Sequence, residues 1–268
     1  RMSASRSEDL TTRLLGCYAA AVHDVLRGMG ALPCVLPPSI KPLDPGRKLA
    51  GEVYTVSGHI DTTRDPHDTL VQWTGLLSRA PAGKVLVCQP NTHDIALMGE
   101  LSSETLQFRG VRGYVVDGGC RDTDFILKLG FPVFCSFTTP KDIVAKWVPD
   151  RFGEPVTIGE VTVRPGDYVV ADGSAVVFVA AGDHFVRFGD LLVQILELPI
   201  LAGQLRQRAD PFEWPGAQVE KIVLAVLSPC LHIGDAPHRK RQFGKSAARG
   251  FEALHQWCVE FGEYLLFG

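Results

Sequence analysis

GYVVDGGCRD, residues Gly113 to Asp122, joins an apolar run to two glycines and an Arg-Asp pair. Tyr114, Val115 and Val116 form a short apolar run, as in a strand buried on both faces. The chain is then expected to turn through Gly118 and Gly119, with Asp117 as a turn residue. It presents Arg121 beside Asp122, and the following DTDFILKLG reads as a short helix capped by Asp122 or Thr123. In open α/β sheets, ligands bind where the carboxyl end of a strand meets the start of a helix. Arginine offers a planar fork suited to a carboxylate. Aspartate offers a hard oxygen suited to Mg²⁺ or Mn²⁺. The pair is therefore either a surface ion pair or a site where Arg121 grips an anion and Asp122 holds a metal.

Upstream, MGELSS places Gly99 and Glu100 just before a helix, with Leu101 and Ser102 in its first turn, where backbone N–H groups lack intrahelical acceptors. Twenty residues separate Glu100 from Arg121, an E-x20-R-D spacing. Helix, glycine and strand fill that interval and return the chain to the same sheet edge, so Glu100 and Asp122 are expected to converge on one cation. Along the helix Leu101, Thr105 and Phe108 share a face, and Gly110 can close it.

Working outward, GEVYTVSG, KVLVCQ and PVFCSF read as further strands. Asp65-Pro66 has the form of an N-cap followed by proline at the first helical position, opening a helix through HDTLVQWTGLLSRA. Strands alternating with helices define an α/β architecture with a largely parallel sheet. At the start of the chain, Ser5 and Glu8 have capping-box spacing. Leu10, Leu14, Tyr18, Val22, Val25 and Met29 follow at helical intervals, predicting one helix closed by Gly30. After Pro140 the pattern changes. PVTIGEVTVRPGDYVVADGSAVVFVA contains only short β-rich runs, expected to form hairpins or a small barrel-like layer on the first sheet, with a tight turn over Ile158 to Val161. Beyond it, RFGDLLVQILELPILAGQL and FEALHQWCVEFGEYLLFG have helical periodicity and DPFEWPG breaks them.

Composition excludes several classes. The chain of 268 residues is 46% hydrophobic and 21% charged, ordinary for a globular protein. Its net charge of −3 carries no nucleic-acid footprint, and HRKRQ, His238 to Gln242, reads as a solvated loop. Seven scattered cysteines without C-x-x-C spacing argue against a disulfide framework or structural zinc site. No apolar run is long enough for a membrane span, and the opening RMSASRSEDL lacks the apolar segment of a secretory signal. A reducing cytoplasm is the expected compartment, with neither nucleic acid nor membrane as partner.

LPPSIKPLDPGRKLAGEVYTV, MGELSSETLQFRGVRGYVVDGGCRD, PVF and VTIGEVTVRPGDYVVAD resemble the RraA-like family over roughly residues 10–180. That family includes the regulator of ribonuclease activity A. It also includes divalent-metal aldolases for 4-hydroxy-4-methyl-2-oxoglutarate and 4-carboxy-4-hydroxy-2-oxoadipate. The resemblance implies a swivelling β/β/α-type fold, an αββα sandwich, for residues 1–180. Residues 181–268 are read as a C-terminal extension without the family's usual C-terminal helices. A homotrimer or hexamer with sites at subunit interfaces is implied. So are residue roles: Asp122 as direct ligand of Mg²⁺ or Mn²⁺, and Arg121 as the residue that binds the pyruvyl group. Gly99, Leu101 and Ser102 form the loop that takes the substrate carboxylate, and Glu100 stands at an acidic position that is usually Asp in the aldolases.

The chemistry of those roles is coherent. A 2-oxo acid can chelate a divalent cation, and cleaving its C3–C4 bond leaves the enolate of pyruvate, whose charge a cation and Arg121 would both stabilise. Glu100, acting through a metal-bound water, is the candidate base for the 4-hydroxyl proton. Oxaloacetate decarboxylation passes through the same enolate. The expected function is thus a metal-dependent lyase acting on a small 2-oxo acid. The alternative is a non-catalytic regulator binding a ribonuclease or other protein. No glycine-rich S-adenosylmethionine loop follows a first strand, which argues against a methyltransferase.

Other polar residues read more simply. His59 and His67 are ordinary polar positions. His93 lies close enough in sequence to the MGE loop to be a candidate for lining the site. Cys120 has no partner histidine placed by the sequence, Lys141 reads as a surface lysine, and Asp172 serves a turn.

Overall fold

The computed structural model describes residues 2–181. Helix α1 spans Met2–Leu15 and α2 spans Ala19–Gly28. The one helix expected here is thus two, interrupted at Gly16 to Tyr18, and Ser5 lies inside α1 rather than capping it. The interruption has a polar anchor: Asp172 Oδ2 accepts the Ala19 N–H at 2.8 Å, capping α2 from 153 residues away. No sequence-local pattern encodes such a cap.

The remaining elements are β1 (Lys41–Pro42), β2 (Leu49–Ile60), α3 (Pro66–Arg79), β3 (Val85–Gln89), α4 (Glu100–Phe108), β4 (Gly113–Cys120), α5 (Thr123–Leu129) and β5 (Val133–Thr138). They are followed by β6 (Trp147–Phe152), β7 (Val156–Ile158), β8 (Val161–Val163), β9 (Tyr168–Ala171) and β10 (Val176–Val179). The main sheet has the order β1-β5-β4-β3-β2-β9-β10. Strands β2 to β5 pair in parallel, as the alternation of strands and helices predicts. The late strands do not stay in a layer of their own. β9 and β6 both join β2 antiparallel, at Leu49–Glu52 and Val56–Ile60. β2 is long enough, at 12 residues, to take part in both halves of a barrel-like sheet. Among the described residues, only β7 and β8 form a separate hairpin, closed by the expected two-residue turn with Gly159 at φ +59°.

Alternation along the parallel strands sorts the core into two layers. Leu86, Cys88, Tyr114, Val116, Val133 and Cys135 face one side, where Trp73, Leu76, Leu106 and Ile126 of the helices α3 to α5 cover them. Val85, Val87, Val115 and Phe134 face the other, against Val156, Ile158, Val161, Val163, Val169 and Phe178. Helix α2 packs on β9 and β10. This is the β/β/α arrangement, an αββα sandwich, that the family resemblance implies. Asp65 caps α3 as expected, accepting the His67 N–H at 2.8 Å, with Pro66 in the first turn.

Strand β4 differs from expectation in its length. The chain does not turn at Gly118 and Gly119 but stays extended to Cys120, with a register shift between Val116 and Gly119. The physical reason is a close approach. The segment after β3 pairs with the end of β4, Gly119 N–H donating to Ile95 O at 3.1 Å and Leu97 N–H to Gly119 O at 2.9 Å. A Cβ at Gly119 would sit 2.6 Å from Ile95 O and 2.8 Å from a Phe137 ring carbon. The glycine admits a neighbouring backbone rather than a turn. Asp117 is consequently a strand residue. Its carboxylate takes Gln89 Nε2, His93 Nε2 and Ser136 Oγ at 3.1, 2.8 and 3.1 Å.

The expectations for residues 182–268, including the two periodic segments and HRKRQ, lie outside the described residues. Among the described residues no helix is long and apolar enough to cross a membrane.

Candidate active site

Because β3, β4 and β5 are parallel, their carboxyl ends share one sheet edge. The segments that follow them, residues 90–99, 121–122 and 139–146, meet there. Arg121 N–H donates to Met98 O at 2.9 Å, Thr139 N–H to Cys120 O at 3.0 Å and Ala96 N–H to Lys141 O at 2.8 Å. Backbone bonds therefore fix the three loops to one another before any side chain is considered.

Asp122 opens α5 in the left-handed conformation, φ 54° and ψ 39°, and makes no side-chain cap to its own helix. For a non-glycine residue this costs on the order of 1 kcal/mol. It turns the carboxylate away from α5 toward α4. Asp122 Oδ2 accepts the Glu100 N–H at 3.2 Å and lies 3.4 Å from Arg121 Nε. Gly99 is the residue that permits this. It is the N-cap of α4, in extended backbone, and a Cβ there would lie 2.6 Å from Asp122 Oδ2 and 3.1 Å from Arg121 Cγ. The glycine of MGE is needed for close packing, not for a turn.

Arg121 also pairs with Asp142, Nη1 to Oδ2 at 3.1 Å. Asp142 belongs to the loop after β5 and was not singled out by the sequence, although its neighbour Lys141 was. The signal available was positional: any loop after a parallel strand opens on this edge. Lys141 itself forms an ion pair with Asp94. Ser102 Oγ accepts the Trp73 Nε1–H at 2.9 Å, tying the first turn of α4 to α3. Trp73 too was read from the sequence as helix content alone.

The structure thus brings Gly99, Glu100, Arg121 and Asp122 together, with Leu101 and Ser102 in the adjoining turn. The contact made by Glu100 comes from its backbone N–H rather than its carboxylate. Leu101 and Phe108 are 75% and 93% exposed, so the face they share points outward, while Ser103 and Leu106 carry the buried side of α4. His93 is tied to Asp117 and packs edge-on against Phe137, 6.3 Å between ring centres. His59 bonds Asp150 at 2.7 Å in an exposed position. Cys120 is buried; its interaction with Cys135 and its burial push the thiol well above its ordinary range, the opposite of what a nucleophile needs.

Among the described residues no three His, Cys, Asp or Glu side chains cluster as a closed metal cage would require. The donor set nonetheless fits a hard cation. Both contacts of Asp122 fall on Oδ2, and its side chain is 36% exposed. Mg²⁺ commonly keeps several waters and takes one or two carboxylates plus substrate oxygens.

Comparison with known proteins agrees with this architecture. The signature of the RraA-like family, Aldolase/RraA, matches residues 19–178. The chain belongs to the RraA-like family. It is 27% identical over 181 residues to "Putative 4-hydroxy-4-methyl-2-oxoglutarate aldolase" of Halalkalibacterium halodurans, covering 66% of this chain and 79% of that one. It is 30% identical over 176 residues to Protein DlpA of Legionella pneumophila, covering 64% of this chain but only 27% of DlpA. It is 35% identical over 96 residues to the protein of the same aldolase name of Azotobacter vinelandii, covering 35% of this chain and 59% of that one. Among solved structures, RraAS2 of Streptomyces coelicolor, described as an unusual member of the RNase ES inhibitor RraA family, superposes with a TM-score of 0.63. That match has 26% identity and covers 75% of this chain and 98% of RraAS2.

Proposed function

We propose that this protein is a divalent-metal-dependent lyase that cleaves the C3–C4 bond of a short 2-oxo acid and releases pyruvate. The observation that carries the reading is the junction of Gly99, Arg121 and Asp122, where a guanidinium and a carboxylate meet the amide end of α4. The amides of Leu101 and Ser102, without intrahelical acceptors, receive the substrate carboxylate. Arg121 faces the oxygen on which negative charge develops as the bond breaks. Asp122 would hold Mg²⁺ or Mn²⁺, which supplies Lewis-acid stabilisation of that oxygen when bound. In retro-aldol cleavage Glu100 takes the 4-hydroxyl proton, the C3–C4 electron pair passes into the enolate, and protonation at C3 yields pyruvate. In oxaloacetate the same pair is released by loss of CO₂, and no hydroxyl base is required.

The relatives bearing the aldolase name support this reading. A second reading, a protein-binding regulator, is favoured by exposed Leu101 and Phe108 on α4 and Phe125 on α5, and by the description of the Streptomyces relative. Assembly into a trimer or hexamer, in the cytoplasm, belongs to the same proposal, and light scattering tests the assembly. The functional test is pyruvate release from oxaloacetate and from 4-hydroxy-4-methyl-2-oxoglutarate with Mg²⁺ or Mn²⁺, then with EDTA. Turnover abolished by EDTA supports the lyase. No turnover of either substrate by folded, metal-loaded protein favours the regulator.

A further inference from the structure

We propose that Asp142 is a positioning residue that holds the Arg121 guanidinium in the orientation in which it receives the 2-oxo acid. The inference rests on the 2-oxo acid reading of the same site. A long side chain at a strand end is ordered at a cost when ligand binds, unless the protein has ordered it beforehand. Arg121 has two carboxylate neighbours. Asp122 approaches Nε at 3.4 Å, longer than a good hydrogen bond, whereas Asp142 meets Nη1 at 3.1 Å. Asp142 therefore makes the tighter contact.

Asp142 is itself fixed. Its Oδ1 accepts the Val144 N–H at 3.1 Å, so one oxygen is held by its own loop while the other holds Arg121. That loop is bonded through Lys141 O to Ala96 N and through Thr139 N to Cys120 O, the two segments that flank the site. Asp142 takes Nη1 while Asp122 lies near Nε, and no described residue accepts a hydrogen bond from Nη2. A fork held at Nη1 in this way leaves its Nη2 donors to an incoming oxyanion.

The competing role for Asp142 is that of an anion occupying the ligand's place on Arg121. The two roles differ in sign. Removing a carboxylate beside an anion site strengthens anion binding by Coulomb's law alone, so weaker binding without it is diagnostic of positioning.

The experiment uses the full chain loaded with Mg²⁺ and oxalate, a dianion of enolate-like shape, as the calorimetric probe. Asp142→Ala is expected to weaken oxalate binding about 10-fold, the order of one immobilised side chain. Asp142→Asn, which keeps one acceptor oxygen where the carboxylate has two, is expected to bind more tightly than the alanine variant and serves if that variant does not fold. In ligand-free protein, hydrogen exchange of the Arg121 Nε–H, assigned by NMR with Arg121→Lys, is expected to quicken in Asp142→Ala. Unchanged or tighter oxalate binding in the alanine variant, or unchanged exchange, overturns the proposal. Wild-type protein that binds no oxalate refutes the 2-oxo acid reading instead, and the exchange measurement still decides whether Asp142 holds Arg121.

Discussion

Gly99 shows how closely the site is built at the level of single residues. A methyl group there would lie 2.6 Å from Asp122 Oδ2, so the carboxylate or the α4 terminus must move. Gly99→Ala is expected to reduce pyruvate release at least ~100-fold, because small misplacements of reacting groups are that costly. The urea midpoint should fall little, since the clash is with a half-exposed side chain. A large stability loss with intact specific activity would contradict this. Glu100 gives a second prediction. Its proposed work is proton removal in the retro-aldol reaction only, so Glu100→Gln should slow cleavage of 4-hydroxy-4-methyl-2-oxoglutarate by ~100-fold or more. Oxaloacetate decarboxylation should stay within several-fold, and equal losses on both substrates would remove Glu100 from the base role. Arg121, Asp122, Glu100 and Gly99 were legible in the sequence because they sit in two short motifs at fixed spacing. Asp142 and Trp73 were not, because each reaches the site from another element through a side-chain contact that no local pattern records.

Elements were legible where hydrophobic period and turn chemistry act locally. The Asp65-Pro66 start of α3 and the Gly159 hairpin are both in place. They were misread where a distant partner decides. The break between α1 and α2 depends on Asp172, and the extension of β4 depends on the segment around Ile95. Asp172 carries a pH prediction. Burial alone would raise its carboxyl, but the N–H groups of Ala19, Ser174 and Ala175 outweigh it and hold the group below the usual carboxylate range. A carboxyl depressed in the folded state stabilises fully above its unfolded pKa of about 4, and that contribution is lost as pH falls through the folded value. Wild-type stability should therefore drop below about pH 4 more steeply than that of Asp172→Asn, as read from urea midpoints across pH 3 to 6. Parallel slopes would mean that the three N–H bonds do not hold the carboxylate.

At the scale of the whole molecule, the parallel sheet is buried on both faces, and its middle strands present opposite sides to helices and to a second β layer. Phe134 stands between the two β layers with no exposed surface. Phe134→Ala should cost about 3–5 kcal/mol in urea unfolding, the range for a fully buried aromatic. A loss under about 1 kcal/mol would mean that the layers do not close on this side chain. That architecture matters to function because it brings three strand ends, and the loops after them, to one edge. The proposed function places metal-dependent cleavage at this edge, through Asp122. The most direct measurement is pyruvate release from oxaloacetate by wild-type protein and by Asp122→Ala, together with Mn²⁺ binding to each by electron paramagnetic resonance. The variant is expected to stay folded, to lose bound Mn²⁺ and to lose turnover together. Turnover or Mn²⁺ binding that survives in Asp122→Ala would contradict the proposed function.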